Sequence, residues 1–268
     1  MSRVEDDLRV NTLEVLTSAS IPGLSSFSPA TFGLSLVNKT LITVHQTVTT
    51  TGSNQTIYTC PSNRRAMYLN VIYSNNSGVT ASVNNVITVG GATVSYTAVS
   101  VATPGVSIQA GNLVAPIFEA GDVFAINTTQ QPMGVVASFI EFDATSNLKS
   151  GKKVGSWSIG DNTIYTVPGG KTAIVMVGTV LGINGYSGIA YANGSGATRT
   201  TKWNLVPSGG SPSNGNLLHT STGTTNGVAG SGVNNGNSTF FMAAGDFLSI
   251  NTDSALDTQI GFATVMEI

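Results

Sequence analysis

Two nearly identical hexapeptides, TIYTCP at 56–61 and TIYTVP at 163–168, occur in one chain of 268 residues. A repeated strand and turn restricts the fold more than any single motif, because whatever buries one copy must bury the other. The match continues in order. QTIYTCPSNRRAMYLNVIY, FEAGDVFAINT and VVASFIEF are answered by NTIYTVPGGKTAIVMVGTV, MAAGDFLSINT and IGFATVMEI. The offset is 107 at Thr56/Thr163, 124 at Gly121/Gly245 and 126 at Glu141/Glu267, so 17 residues (124 − 107) enter the second copy between its first and last thirds. An insertion of that size is expected in a loop.

Each shared piece has a β signature. TIYT is β-branched and aromatic throughout, and Pro61 or Pro168 ends the ladder because proline has no N–H to donate. AMYLNVIY and TAIVMVGTVLGI are apolar runs of strand length, expected as central strands. AGD reads as a turn, with Gly121 or Gly245 supplying a positive φ and Asp122 or Asp246 accepting backbone N–H bonds. VFAINT, FLSINT and the two closing segments are strands, as are GVTASVNNVITV and ATVSYTAVSVAT. The expected fold is all-β: two tandem β-sandwich, jelly-roll-like domains of seven to nine strands each. The boundaries read as an extended arm with a short strand at 1–40, a first domain at 41–146, and a second at 147–268 that carries a Gly/Asn/Ser-rich insertion.

Composition agrees. Charged residues are 9% and hydrophobic ones 41%, too apolar for a disordered chain and too poor in charge for a helical one. The stretch from Ala66 to Phe118 has no Asp, Glu, Lys or Arg, and the net charge is −2, so no basic groove for nucleic acid can be assembled. Lys149, Lys152 and Lys153 fall between the copies and read as a solvated linker. The single cysteine, Cys60, lies inside a strand-like segment and reads as a small buried hydrophobe, with no disulfide to form. The first twenty residues have acids near the start and no apolar core, unlike a secretory leader. The most apolar run, 172–183, is short and broken by glycines, so no membrane partner is expected.

Catalytic groups are sparse. His45 falls in a Thr-rich strand and His219 in the inserted region, without metal-ligand spacing, and no G-x-S-x-G elbow occurs. Asp122 with Glu141, and Asp246 with Glu267, recur at matching places. They resemble a glycosidase pair or a calcium site only until duplication is considered: the aspartate caps a turn, and the glutamate is expected to face solvent on a final strand. Asp253 and Asp257 read as a hairpin tip. Six N-x-S/T triplets are what an Asn-, Ser- and Thr-rich chain produces by composition. No cofactor, metal or catalytic residue is expected. One ligand reading remains: Tyr186, Tyr191 and Trp203 sit among Asn, Gly and Ser, the company kept by aromatic platforms for sugars, which makes a host-surface glycan a candidate partner.

Taken together, TIYTVP, the GGK turn, TAIVMV, AGD, LSINT and the terminal strand ending in Glu resemble a β-sandwich module of structural proteins in tailed bacteriophage particles. The likeness covers 163–176 and 241–268, and the first copy departs from it with SNRR at 62–65 in place of GGK. The opening DLRVNTLEV at 7–15 is similar to the lead-in strand of phage tail, collar and fibre subunits. The resemblance implies a virion protein without enzymatic activity, made in the host cytoplasm. It would be built into a tail, collar or fibre, or would decorate a capsid, and it would contact other virion proteins. Low charge leaves assembly to apolar contact and backbone pairing, so a homo-oligomer, a trimer or ring, is expected, with Leu8, Val10, Phe27 and Phe32 of the arm against a neighbouring subunit; the alternative reading packs Phe27 and Phe32 back onto the first domain.

Overall fold

The computed structural model describes residues 38–103, 105–110, 117–154, 157–175, 178–180, 183–186, 189–193, 199–213, 217–223, 227–230, 240–253 and 259–268. Residues 1–37 of the arm, with Leu8, Val10, Phe27 and Phe32, lie outside them, as does Asp257.

All regular structure among the described residues is β. The first nine strands are β1 (Thr40–Val48), β2 (Gln55–Thr59), β3 (Arg64–Asn75), β4 (Ala81–Val89), β5 (Ala92–Val101), β6 (Gly105–Ala110), β7 (Ile117–Phe118), β8 (Val123–Thr128) and β9 (Met133–Asp143). One sheet runs β1-β9-β3-β6, with β7 also on β3; the other runs β2-β8-β4-β5. Every pairing is antiparallel. Side chains from both sheets meet in one apolar cluster, in which Tyr58 stacks on Phe139 at a centroid distance of 4.1 Å and Phe118 and Phe124 meet Phe139 edge-on. Such ring pairs add about 0.5–1.5 kcal/mol each beyond the area they bury.

The second copy has β10 (Leu148–Val154), β11 (Gly160–Thr166), β12 (Ala173–Val175), β13 (Gly178–Val180), β14 (Ile183–Tyr186), β15 (Ile189–Asn193), β16 (Arg199–Val206), β17 (Leu217–Gly223), β18 (Gly227–Gly230), β19 (Phe240–Met242), β20 (Phe247–Thr252) and β21 (Gln259–Glu267). Register maps it onto the first. Thr40 pairs with Glu141, and the Asn147 carbonyl accepts from Glu267 N–H, so β10 repeats β1 at an offset of 107 (147 − 40). The three lysines therefore belong to an edge strand on β21, not to a linker. β11-β20-β16-β17 repeats β2-β8-β4-β5, down to the same register shift, between Thr56 and Tyr58 and between Thr163 and Tyr165.

The insertion is not where a simple surface loop would put it. Ala66 and Ala173 hold matching places against Glu141 and Glu267, whereas Asn75 faces Met133 as Asn193 faces Gln259. The continuous β3 is thus split into β12 and β15, and the offset rises from 107 (173 − 66) to 118 (193 − 75) between them. The extra 11 residues (118 − 107) enter where β3 has its own register shift, between Tyr68 and Asn70, and include the β13–β14 pair. A bulge is a place where the ladder is already interrupted, so an excursion there breaks the fewest hydrogen bonds. Trp203, Leu205 and Val206 lie on β16, the counterpart of β4.

A second apolar cluster joins Trp157, Ile164, Val175, Trp203, Leu248, Ile250 and Val265. Leu148 and Phe262, although on strands of the second copy, are buried in the first cluster.

Candidate functional site

The polar residues that recur between the copies converge on two small assemblies in each. The first is a clamp between sheets. The register shift after Thr56 re-aims the strand so that the Tyr58 hydroxyl donates to Glu141 Oε1 at 3.0 Å, from β2 in one sheet to β9 in the other. Arg64 Nε stands 3.7 Å from Glu141 Oε2. In the second copy Tyr165 donates to Glu267 Oε1 at 2.9 Å, and Lys149 Nζ to Glu267 Oε2 at 2.6 Å.

Glu267 is only 8% exposed and Glu141 13%, which corrects the expectation that both face solvent. Burial alone would raise the Glu267 pKa; hydrogen bonds from Lys149 and Tyr165, then the charges of Lys149 and Lys171, outweigh it and hold the carboxyl below its ordinary value. Burial first, then Cys60 and Glu141, push the Tyr58 hydroxyl far above its usual range, so it stays protonated and donates. This is a fastening, with the proton fixed on the tyrosine.

The second assembly is the AGD turn. Gly121 at φ 83° donates to the Cys60 carbonyl at 2.9 Å, and Gly245 at φ 84° donates to the Val167 carbonyl at 3.0 Å. Asp122 accepts from Glu119 N–H at 2.8 Å and Gly90 N–H at 3.2 Å; Asp246 accepts from Ala243 N–H at 2.8 Å and Ser208 N–H at 3.0 Å. The capping role expected for both aspartates is present. Each aspartate also ties a neighbouring loop to its own turn.

A set of polar contacts joins the copies, beside the apolar burial of Leu148 and Phe262 in the first cluster. Lys152 Nζ donates to Asp122 Oδ2 at 2.7 Å, while Arg65 donates to the Ser146 and Leu148 carbonyls at 2.9 and 3.3 Å and pairs with Glu119 at 2.8 Å. Sequence reading missed this set, because Arg65, Glu119 and Lys152 recur nowhere and match no motif. The clamp was legible in principle: a tyrosine and a glutamate recur at matching places in both copies.

The remaining candidates do not converge. Trp203 is fully buried in the second cluster, so it offers no face to a sugar, and the glycan platform is corrected at that residue. Its tie to the surrounding polar sequence misled, because register places it opposite Ile250, on an inner-facing position of β16. Tyr186 and Tyr191 fall on β14 and β15, with side chains outside the described residues. His45 is exposed on β1, and Asp253 stands 3.8 Å from Arg199 just beyond β20. Cys60 is buried, as expected, its thiol pushed up to about 11 chiefly by burial. Among the described residues no three His, Cys, Asp or Glu side chains gather as a metal site would require.

No described protein family and no curated protein matches this chain. Among solved structures, N-glycanase F (PNGase F) superimposes over 85% of this chain and 94% of its own, at 8% identity and a TM-score of 0.34. STIV MCP does so over 85% and 97%, at 11% and 0.25, and the PBSX exported protein XepA over 84% and 86%, at 8% and 0.19. At TM-scores below 0.5 none of the three carries a function to this chain.

Proposed function

We propose that the chain is a non-enzymatic structural component of a bacteriophage virion, built as two tandem β-sandwich domains behind an N-terminal arm and incorporated into a tail, collar or fibre. The observation that carries this reading is the use made of the recurring carboxylates. Asp122, Asp246, Glu141 and Glu267 are all engaged in capping turns or clamping one sheet to the other. A duplicated unit whose polar residues are spent on rigidity suits a load-bearing or surface-covering part. The sequence resemblance to modules of tailed phage particles points to the same setting.

The test is physical recovery. Particles of the source phage, purified on a density gradient, should contain the chain, and quantitative mass spectrometry should count it at a dozen copies or fewer per particle. Hundreds of copies would move the proposal to capsid decoration. Absence from washed particles would end the virion reading.

A further inference from the structure

The two copies use one face of their repeated sheet differently. Alternate residues of β10 turn toward the first copy: Leu148 is fully buried in the first cluster, Val154 packs against that cluster, and Lys152 reaches Asp122. Phe262 on β21 is buried there too. These side chains cover β7 and the Asp122 turn, and Ile117 on β7 is left 1% exposed.

At the offsets of 107 for β10 and 126 for β21, the counterparts of Leu148, Lys152, Val154 and Phe262 are Leu41, His45, Thr47 and Val136. Leu41 is 66% exposed, His45 and Thr47 are exposed, and Val136 is half-buried. The covered side has its counterpart as well. Ile174 faces Phe241 as Met67 faces Ile117, so Phe241 replaces Ile117, and it is 59% exposed. Asp246 replaces Asp122, and Asp246 Oδ2 accepts from Ala243 N–H as Asp122 Oδ2 accepts from Glu119 N–H. The counterparts of both halves of an interface that the chain makes once internally thus include exposed apolar residues, Leu41 on one copy and Phe241 on the other.

We propose that the chain associates head to tail with further copies of itself. The outer face of β1 and β9 in one copy docks across β19 and the Asp246 turn of the next, as β10 and β21 dock across β7 and the Asp122 turn within the chain. Leu41 covers Phe241, and His45 stands where Lys152 stands, opposite Asp246. Such an interface is heterologous: it propagates until the rotation per subunit closes a ring or fails to close and gives a fibre. Thr172 occupies the place of Arg65 (172 − 65 = 107), so the backbone anchoring that Arg65 supplies inside the chain is missing between chains, and the contact is weaker. The inference gives geometry to the homo-oligomer of the proposed function and rests on that reading only for its biological setting.

Two full-length variants, Leu41→Cys and Phe241→Cys, purified separately, mixed and oxidised, test it. The expected product is a mixed disulfide dimer in clear excess over either like-with-like dimer. A dominant Leu41→Cys homodimer would mean symmetric pairing of β1 edges, and no cross-link at all would mean that the chain's own residues 1–37 or another protein covers the face; either overturns the proposal. Because both variants change exposed residues, a companion measurement uses His45→Lys, which restores the Lys–Asp pair across chains. Sedimentation should show self-association tightened roughly fivefold, the worth of a part-exposed ion pair, and an unchanged constant counts against the docking. Neither result depends on recovery from virions, so this inference and the virion reading fail separately.

Discussion

Tyr165 donates its hydroxyl hydrogen to Glu267 across 2.9 Å, joining β11 in one sheet to β21 in the other. Tyr58 and Glu141 repeat the bond at 3.0 Å in the first copy. Apolar side chains between two sheets give little directional preference; one directional bond between them fixes the register of one sheet against the other.

Removing that bond should cost stability in a pH-dependent way. Glu267→Gln is expected to lose about 1.5–3 kcal/mol at neutral pH, the range for hydrogen bonds to a charged group. Because the folded carboxyl lies below its unfolded value, its contribution is complete above the ordinary carboxylate pKa and disappears as pH falls through the folded one. Urea unfolding followed from about pH 6 to about pH 3 should therefore show a shallower loss in Glu267→Gln than in the parent chain. Parallel curves would mean that Glu267 gains nothing from Lys149 and Tyr165.

The two AGD turns allow an internal comparison. Asp246→Ala removes an acceptor of two backbone N–H bonds and should cost about 1–2 kcal/mol. Asp122→Ala removes the same and also strands Lys152, so it should cost about 1 kcal/mol more. Adding Lys152→Met should recover most of that difference, and equal losses in the two aspartate variants, by chemical denaturation, would show that the ion pair contributes nothing.

Much of this was legible. The repeated hexapeptides, the AGD turns and the apolar runs located β2, β8, β9 and their counterparts, because strand period and turn chemistry are local properties. Two things were not local. The insertion splits a strand that the sequence presents as one apolar run, TAIVMVGTVLGI, and only pairing with β21 shows that β12 and β15 are halves of one β3. Trp203 sits in polar sequence yet takes the register place of Asn85 (203 − 118), whose side chain accepts from the buried Tyr73 hydroxyl. A core position filled by an amide in one copy and an indole in the other cannot be recognised from residue type. The contact between copies was hidden for a similar reason: Leu148 and Leu41 are the same residue at matching positions, one fully buried and the other 66% exposed.

Cys60 occupies the place of Val167 (167 − 60 = 107), and its thiol contacts the Arg64 and Phe118 carbonyls at 3.4 and 3.6 Å. A thiol raised to about 11 holds almost no thiolate at neutral pH. The native chain should fail to react with a disulfide reagent that modifies it fully in denaturant. Cys60→Val should fold with a stability change of less than about 1.5 kcal/mol, as a volume-conserving swap. Rapid labelling of the folded protein would show that the strand opens at this point.

The second core is packed more tightly at one backbone position than the first. Gly261 stands where the first copy has Val135 (261 − 126), and a Cβ there would lie 2.4 Å from Ile250 Cδ1, 3.0 Å from Ile164 Cδ1 and 3.1 Å from Trp157 Cη2. Trp157 contributes to the crowding directly, and Trp203 is buried in the same cluster. They are also the only two tryptophans, so their fluorescence reports on the second copy alone. Gly261→Ala should destabilise the transition they report by about 1–3 kcal/mol. Ile250→Val by itself removes the crowding methyl and should cost about 0.5–1.5 kcal/mol. In Gly261→Ala combined with Ile250→Val, the new methyl enters the space that Cδ1 vacates, so the pair should cost roughly 1 kcal/mol less than the two single losses together. Strict additivity would show that the clash relaxes elsewhere, through the backbone of β21 instead of through Ile250.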